Sequence, residues 1–366
     1  LADSLPDKFG NTLINAWLSR QSRDPSSFTP VERLCYTGTR GMGALEFKPR
    51  LAEATTSARK IEIESLVRLA NRVLDDRIAL EGKFTGDNDQ RVIEDILRVG
   101  TSAGGARAKA VLAWNEATQE FRSGQAPATK GFGQWLMKFD GVTGNKDKEI
   151  ADPQGFGRIE YAYYLMAKAA GVEMNECRLH EEGGRAHFMT KRFDRTQDGD
   201  KLHMQSFGAM MHYDFNVAGA YAYEQALQTI RRLRLPRSDI EQQVRRAYLN
   251  ILARNQDDHV KNIAFLMNRK GEWRLSPAFD VAYSYNPTGA WTSQHQMSLA
   301  GKRDEFSIDD LIEIAGVGDV KKARAKSILS EVSNAVADWE TFAREADIPD
   351  SDIDRIMKTH RRELFV

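Results

Sequence analysis

Between residues 51 and 81 the apolar positions Ile63, Leu66, Val67, Ala70, Val73 and Leu74 recur three and four apart, which predicts a helix with one buried face. A shorter helical pattern over 91–98 runs into Gly100. The period then changes to that of strands. Ala110–Trp114 and Gln134–Phe139 carry short apolar runs on either side of a polar stretch with Gly and Pro. Helical spacing returns over 158–170 and stops near Gly171, a residue suited to the left-handed conformation that ends helices. Two further predicted strands, 175–181 and 186–193, flank Gly183-Gly184, a pair that favours a tight hairpin. After about 215 the pattern is mostly helical. Ile240, Val244, Ala247, Tyr248 and Ile251 predict a helix over 239–251, with Ser238 or Asp239 as its cap. A strand pair, 262–267 and 272–276, turns around Arg269-Lys270-Gly271. Ser307-Ile-Asp-Asp310 predicts a capped helix start. Ile328, Val332, Ala335, Val336, Trp339 and Phe342 predict one helix over about 320–345. Residues 1–50 offer turn signals and the Gly-punctuated stretch Thr37–Glu46.

The plan is α+β, with a mixed first half over 1–190 and a mostly helical second half over 191–366. Two-lobed plans of this kind often hold a nucleotide. Composition changes little in this picture. Hydrophobic residues make up 41% and charged residues 28% of the 366, as in ordinary soluble globular proteins. Lys+Arg and Asp+Glu are both 52, so no charge excess favours a nucleic-acid backbone, and no direct nucleic-acid binding is expected. Cys35 and Cys177 form no metal-type spacing, which suits a reducing, cytoplasmic compartment. No apolar run approaches the roughly 20 residues of a membrane span, and none is expected to meet a membrane. No signal peptide is visible, although the chain opens on Leu1 rather than Met.

Candidate chemistry concentrates in Ala253–Asn262, a polar loop between a helix and an apolar strand. Asp257 and Asn262 stand five positions apart, the offset at which protein kinases place a catalytic Asp and a metal-binding Asn. Asp280 follows the strand hairpin and is suited to a second magnesium ligand, since Mg²⁺ takes few hard oxygen ligands and keeps its waters. The competing reading, a solvated turn, accounts for Asp257-Asp258-His259 alone but poorly for the whole set. His259 suits either a structural hydrogen bond or proton transfer, and Lys261 either phosphate neutralisation or solvent. Gly100–Lys109 precedes a strand and could bring backbone amides to phosphate. It is not a Walker A sequence, and taken alone it reads better as an ordinary Gly-rich hairpin. Lys138 ends its strand among apolar neighbours, where it could grip phosphates from a cleft or face water from an edge. Glu160 on the following helix is a candidate ion-pair partner for it.

The segments Asn255-Gln-Asp-Asp-His-Val-Lys-Asn262 and Trp273-Arg-Leu-Ser-Pro-Ala-Phe-Asp-Val281 resemble the HipA family of bacterial serine/threonine kinases, best known as toxins of toxin–antitoxin pairs. Ser102–Lys109, the strand carrying Lys138, Ile159–Leu165, Lys191–Arg195 and Met297–Arg303 extend the resemblance over nearly the whole chain. It implies a two-lobed, protein-kinase-like fold that uses ATP and Mg²⁺. Asp257 would be the catalytic base, and Asn262 and Asp280 the metal ligands. Lys138 would contact the ATP phosphates. Ser102, Ala103, Gly104, Gly105, Ala106 and Lys109 would form the phosphate-binding loop, in which Ser102 matches a site of inhibitory autophosphorylation. The strand and hinge around Met189–Phe193, with Lys191 and Phe193, would line the adenine pocket through backbone groups, and His259 and Lys261 would flank the nucleotide. Family targets include aminoacyl-tRNA synthetases, and a DNA-binding antitoxin is the implied partner. Members usually carry a further small, strand-rich segment ahead of the region matching Leu5-Pro6-Asp7, which this sequence lacks. Trimming, disorder or a separate small partner would account for that. Two other readings compete: a small-molecule or lipid kinase, and a kinase-like interaction module acting through an antitoxin.

Overall fold

The strand periods of the first half build one antiparallel sheet. Its strands are β1 (Lys109–Asn115), β2 (Glu120–Ser123), β3 (Gly133–Lys138), β4 (Cys177–Glu182) and β5 (Arg185–Lys191), in the spatial order β2-β1-β3-β5-β4. The β2 strand occupies the polar stretch that reads as a mere connection. Gly183 and Gly184 both adopt positive φ, 57° and 76°, so the β4–β5 hairpin turns where two glycines permit it. This is a computed structural model, and it describes residues 2–51, 60–75, 100, 107–124, 130–142, 154–196 and 198–366. The predicted helix over 91–98 and the side chains of Val73 and Leu74 lie outside the described residues.

The chain forms two compact units, Leu1–Gly157 with Glu176–Met204, and Arg158–Asn175 with Gln205–Val366. The single expected boundary at 190/191 is thereby replaced by a chain that passes back and forth. Part of the physical reason lies in 192–204. Buried Asp194 accepts from Gly43 N at 2.6 Å and from Arg192 and Arg195, while Arg195 reaches the Gly41 and Gly43 carbonyls. The Gly-punctuated stretch is thus tied to the segment after β5. Ahead of it stand two helices that turn signals alone do not reveal, α1 (Lys8–Arg20) and α2 (Pro30–Thr37). Thr29 and Glu32 cap α2 reciprocally, with Pro30 at its first position. Helix α3 (Ile63–Asp75) buries Ile63, Leu66, Val67 and Ala70 with Ala110, Leu112, Trp135 and Met137 of the sheet.

In the second unit, helix α4 (Phe156–Ala169) contributes Ala162, Tyr163, Met166 and Ala167 to a core shared with α5 (Tyr223–Arg232) and α6 (Arg237–Leu252). Neither Ser238 nor Asp239 caps α6. Pro236 holds that position, and Asp239 Oδ2 instead accepts from Leu275 N at 2.8 Å. That bond ties α6 to the antiparallel hairpin of β6 (Ala264–Met267) and β7 (Trp273–Leu275). Ser307 and Asp310 form the expected capping box of α7 (Ile308–Val317). The long helix expected over 320–345 is two, α8 (Lys322–Ala337) and α9 (Trp339–Glu345), interrupted at Asp338. The apolar stripe survives the break, since Ile328, Val332, Ala335, Val336 and Trp339 are all buried. Among the described residues no helix is long and apolar enough to cross a membrane.

Candidate active site

The loop after α6 is held by its own backbone and by buried polar side chains. Asn255 N donates to the Asn250 carbonyl at 2.9 Å, and Asn255, Gln256 and Asp258 are buried. A single 3₁₀ turn, Val260–Asn262, then leads into β6. Across this turn Asn262 Nδ2 donates to the Asp257 carbonyl at 2.7 Å. With the amide nitrogen committed to the loop, Asn262 Oδ1 is the atom left to act as a ligand. Asp280, after β7, has φ of 53°, a conformation Asp adopts at some cost. Asn262 and Asp280 line one cavity together with Gln243, Arg246, Asn255 and Asp258. Burial lowers the Arg246 guanidinium to about 10, so it stays protonated at neutral pH, and it donates to the Ser276 carbonyl at 2.7 Å.

Adjacent acidic residues have different surroundings. Asp257 is partly exposed. Its Oδ1 accepts from Trp291 Nε1 at 3.0 Å, and His259 Nε2 lies 4.0 Å from the same oxygen. Asp258 is buried and accepts from Tyr223 Oη at 2.6 Å, His295 Nδ1 at 2.8 Å and Gln296 N at 2.7 Å. Burial pushes the Asp258 carboxyl up, but His295 and these hydrogen bonds outweigh it and hold the group below the usual carboxylate value. Burial keeps His295 below the ordinary imidazole value, so the neutral ring donates at Nδ1 and accepts from Arg361 at Nε2, 3.0 Å away. Arg361 also bonds the Ile251 carbonyl at 2.6 Å and Asp304 at 2.5 Å. A chain of buried groups therefore runs from Arg361 to the loop.

Four of the expected nucleotide-binding residues lie in the first unit. Lys109 and Lys138 are directly opposite in the β1–β3 register and share one sheet face, and both are buried. Lys191 is exposed and pairs with Glu176 at 3.5 Å, which leaves backbone groups as its means of lining a nucleotide. Phe193 is half-buried. In the second unit Lys261 Nζ stands 4.6 Å from the Phe215 ring, which His259 also packs against. Glu160 is buried on α4, in a different unit from Lys138. Ser102, Ala103, Gly104, Gly105 and Ala106 lie outside the described residues, and the expected phosphorylation position with them. Sequence reading overlooked Trp291, His295 and Tyr223. For Trp291 a signal existed: a lone tryptophan within the polar run Asn286–Gln296.

Residues 101–339 match the family model for the HipA-like C-terminal domain, and residues 1–48 match the HipA N-terminal domain. Among solved structures, the chain resembles one from the Shewanella oneidensis MR-1 toxin–antitoxin complex of HipA, HipB and operator DNA. The TM-score is 0.67 at 16% identity, covering 96% of this chain and 80% of that one. The Helicobacter pylori proinflammatory kinase CtkA superposes with a TM-score of 0.37 at 12% identity, over 63% of this chain and 89% of that one. A comparison with curated proteins finds no match. The fold is the expected α+β, HipA-like one, and by its two domain matches the chain belongs to the HipA family.

Proposed function

We propose that this chain is a serine/threonine protein kinase that moves the ATP γ-phosphate to a protein hydroxyl and acts as the toxin of a toxin–antitoxin pair. The observation that carries the reading is the pairing of Asn262 and Asp280 on one cavity, with Asn262 clasped to the backbone of Asp257. Asp257 is the base for the acceptor hydroxyl. Asn262 Oδ1 and the Asp280 carboxylate are the protein's ligands for Mg²⁺. This donor set fits the ion, which prefers hard oxygens and fills its shell with water and phosphate. When bound, Mg²⁺ supplies neutralisation of the phosphate charge.

The Lys109 and Lys138 ammonium groups support a polyanion. Both are buried and stand opposite each other in the β1–β3 register, a placement suited to two phosphate contacts from one strand pair. Lys261 adds positive charge, and Lys191 and Phe193 offer backbone groups to adenine. Phosphoryl transfer asks mainly for positioning and charge stabilisation, and these are groups of the kind that supply it. The family, and a fold shared with the HipA–HipB–operator DNA complex, support an antitoxin partner that makes the DNA contact. Ser102 is the proposed site of inhibitory autophosphorylation, and an aminoacyl-tRNA synthetase is a candidate target.

Intact-mass and peptide analysis after incubation with Mg-ATP, alone and with cell extract, tests the reading. Wild-type protein is expected to place phosphate on Ser102 or on extract proteins. Asp257→Ala and Asp280→Ala are expected to lose at least about a hundredfold in rate while melting as the wild type does. Full transfer by either variant would refute its assigned role, and label found only on small molecules would move the acceptor to that class.

A further inference from the structure

Asp257 is gripped from outside its own loop. The donor to its Oδ1 is Trp291 Nε1, 3.0 Å away. Trp291 belongs to a segment that holds three successive loop residues. Gln256 Nε2 donates to the Thr292 carbonyl at 3.4 Å, and Gln296 Nε2 donates to the Gln256 carbonyl at 3.4 Å. His295 Nδ1 and Gln296 N both donate to Asp258. Gln296 Nε2 also bonds the Trp291 carbonyl, which closes the segment on itself. Thr292, His295 and Gln296 are buried, so the backbone carrying the indole is fixed.

We infer that Trp291 is a positioning residue for Asp257, a role that rests on the kinase reading above. An aspartate carboxylate turns about two side-chain torsions, and its terminal torsion is broad. A charge-assisted hydrogen bond from a rigid indole removes that freedom at one oxygen and fixes how the carboxylate meets an acceptor hydroxyl. The indole forms and breaks no covalent bond. This bond ends on Asp257 and on neither proposed metal ligand, so the loss of the bond itself falls on the maximal rate and not on nucleotide binding.

The test compares wild type, Trp291→Phe, Trp291→His, Asp257→Ala and the double variant Trp291→Phe/Asp257→Ala. Phosphate incorporation is followed by mass spectrometry over hours, so that slow rates are measured. Phenylalanine keeps a ring and removes the N–H. The maximal rate is expected to fall about tenfold, with the half-saturating Mg-ATP concentration within about twofold of wild type. Histidine, which retains a ring donor, should recover part of that loss. Without the Asp257 carboxylate, Trp291→Phe should lower the remaining rate by less than about twofold. An unchanged maximal rate overturns the inference. So does a weaker Mg-ATP response accompanied by lower thermal stability, or a full tenfold loss repeated in the Asp257→Ala background. Wild-type protein that transfers no phosphate overturns the kinase reading and this inference with it, whereas active wild type beside an unaffected Trp291→Phe overturns the inference alone.

Discussion

Asp257 and Asp258 are chemically identical neighbours in different surroundings, the first partly exposed and the second buried. Asp258 accepts three hydrogen bonds while buried, so its carboxylate is part of the scaffold. Removing it strands the Tyr223 hydroxyl, the His295 ring and the Gln296 amide. Asp258→Ala is therefore expected to destabilise the second unit by about 3–5 kcal/mol, read as a lower urea midpoint, and an unchanged midpoint would contradict the assignment. Asp257, Asn262 and Asp280 were legible as candidates because each sits in a short polar motif at an element end. The partners of Asp257 and Asp258 were not. Trp291, Tyr223 and His295 stand 34, 35 and 37 positions from the carboxylates they bond, and no local period links such residues. The φ of 53° at Asp280, a positive value shared with nine other non-glycine residues among those described, is likewise visible only in three dimensions.

At the scale of elements, the start of α4 depends on close backbone approach. Asp140 accepts from Gly155 N at 2.9 Å and, more weakly, from Gly157 N and Ala186 N, both at 3.4 Å. A Cβ on Gly157 would stand 2.0 Å from the Ala186 carbonyl oxygen, which is main chain and cannot swing aside. Gly157→Ala is expected to cost at least about 2 kcal/mol, measured by thermal melting, and a variant as stable as wild type would show that the strand and helix can part without penalty. Apolar period located β1, β3, α6 and the two hairpins to within a few residues, since each presents a regular face to a core. It failed at α1 and α2 because Gly10 and Asn11 dilute the pattern of the first and the second has only eight residues. It also fused α8 with α9, because one buried stripe continues through the break at Asp338.

Each unit carries a histidine that burial holds far below the ordinary imidazole value. In the first, burial holds His187 at about 4, and its Nδ1 accepts the Asp140 amide. In the second, burial holds His360 at about 3, beside the Tyr163 hydroxyl. An unfolded chain protonates both near 6.5. Between that value and the native ones the unfolded state binds more protons, so stability rises with pH across this window and falls on acidification from about 6.5 toward 4 and below. The loss by pH 4 should be on the order of a few kcal/mol, seen as lower urea midpoints at pH 5 than at pH 7; equal midpoints would show that the two rings are not buried as neutral groups. The division into two units was legible as a change from strand to helix period, but its chain path was not, because 158–175 and 176–204 are sorted by tertiary burial. Arg361 has a consequence for synthesis. It braces His295 and the carbonyl of Ile251, so a nascent chain still on the ribosome and stopped short of that arginine has made every proposed catalytic residue without the clamp that steadies them. The brace on the loop can therefore close only once Asp257, Asn262 and Asp280 are all in place, and its loss should loosen them without removing any of them.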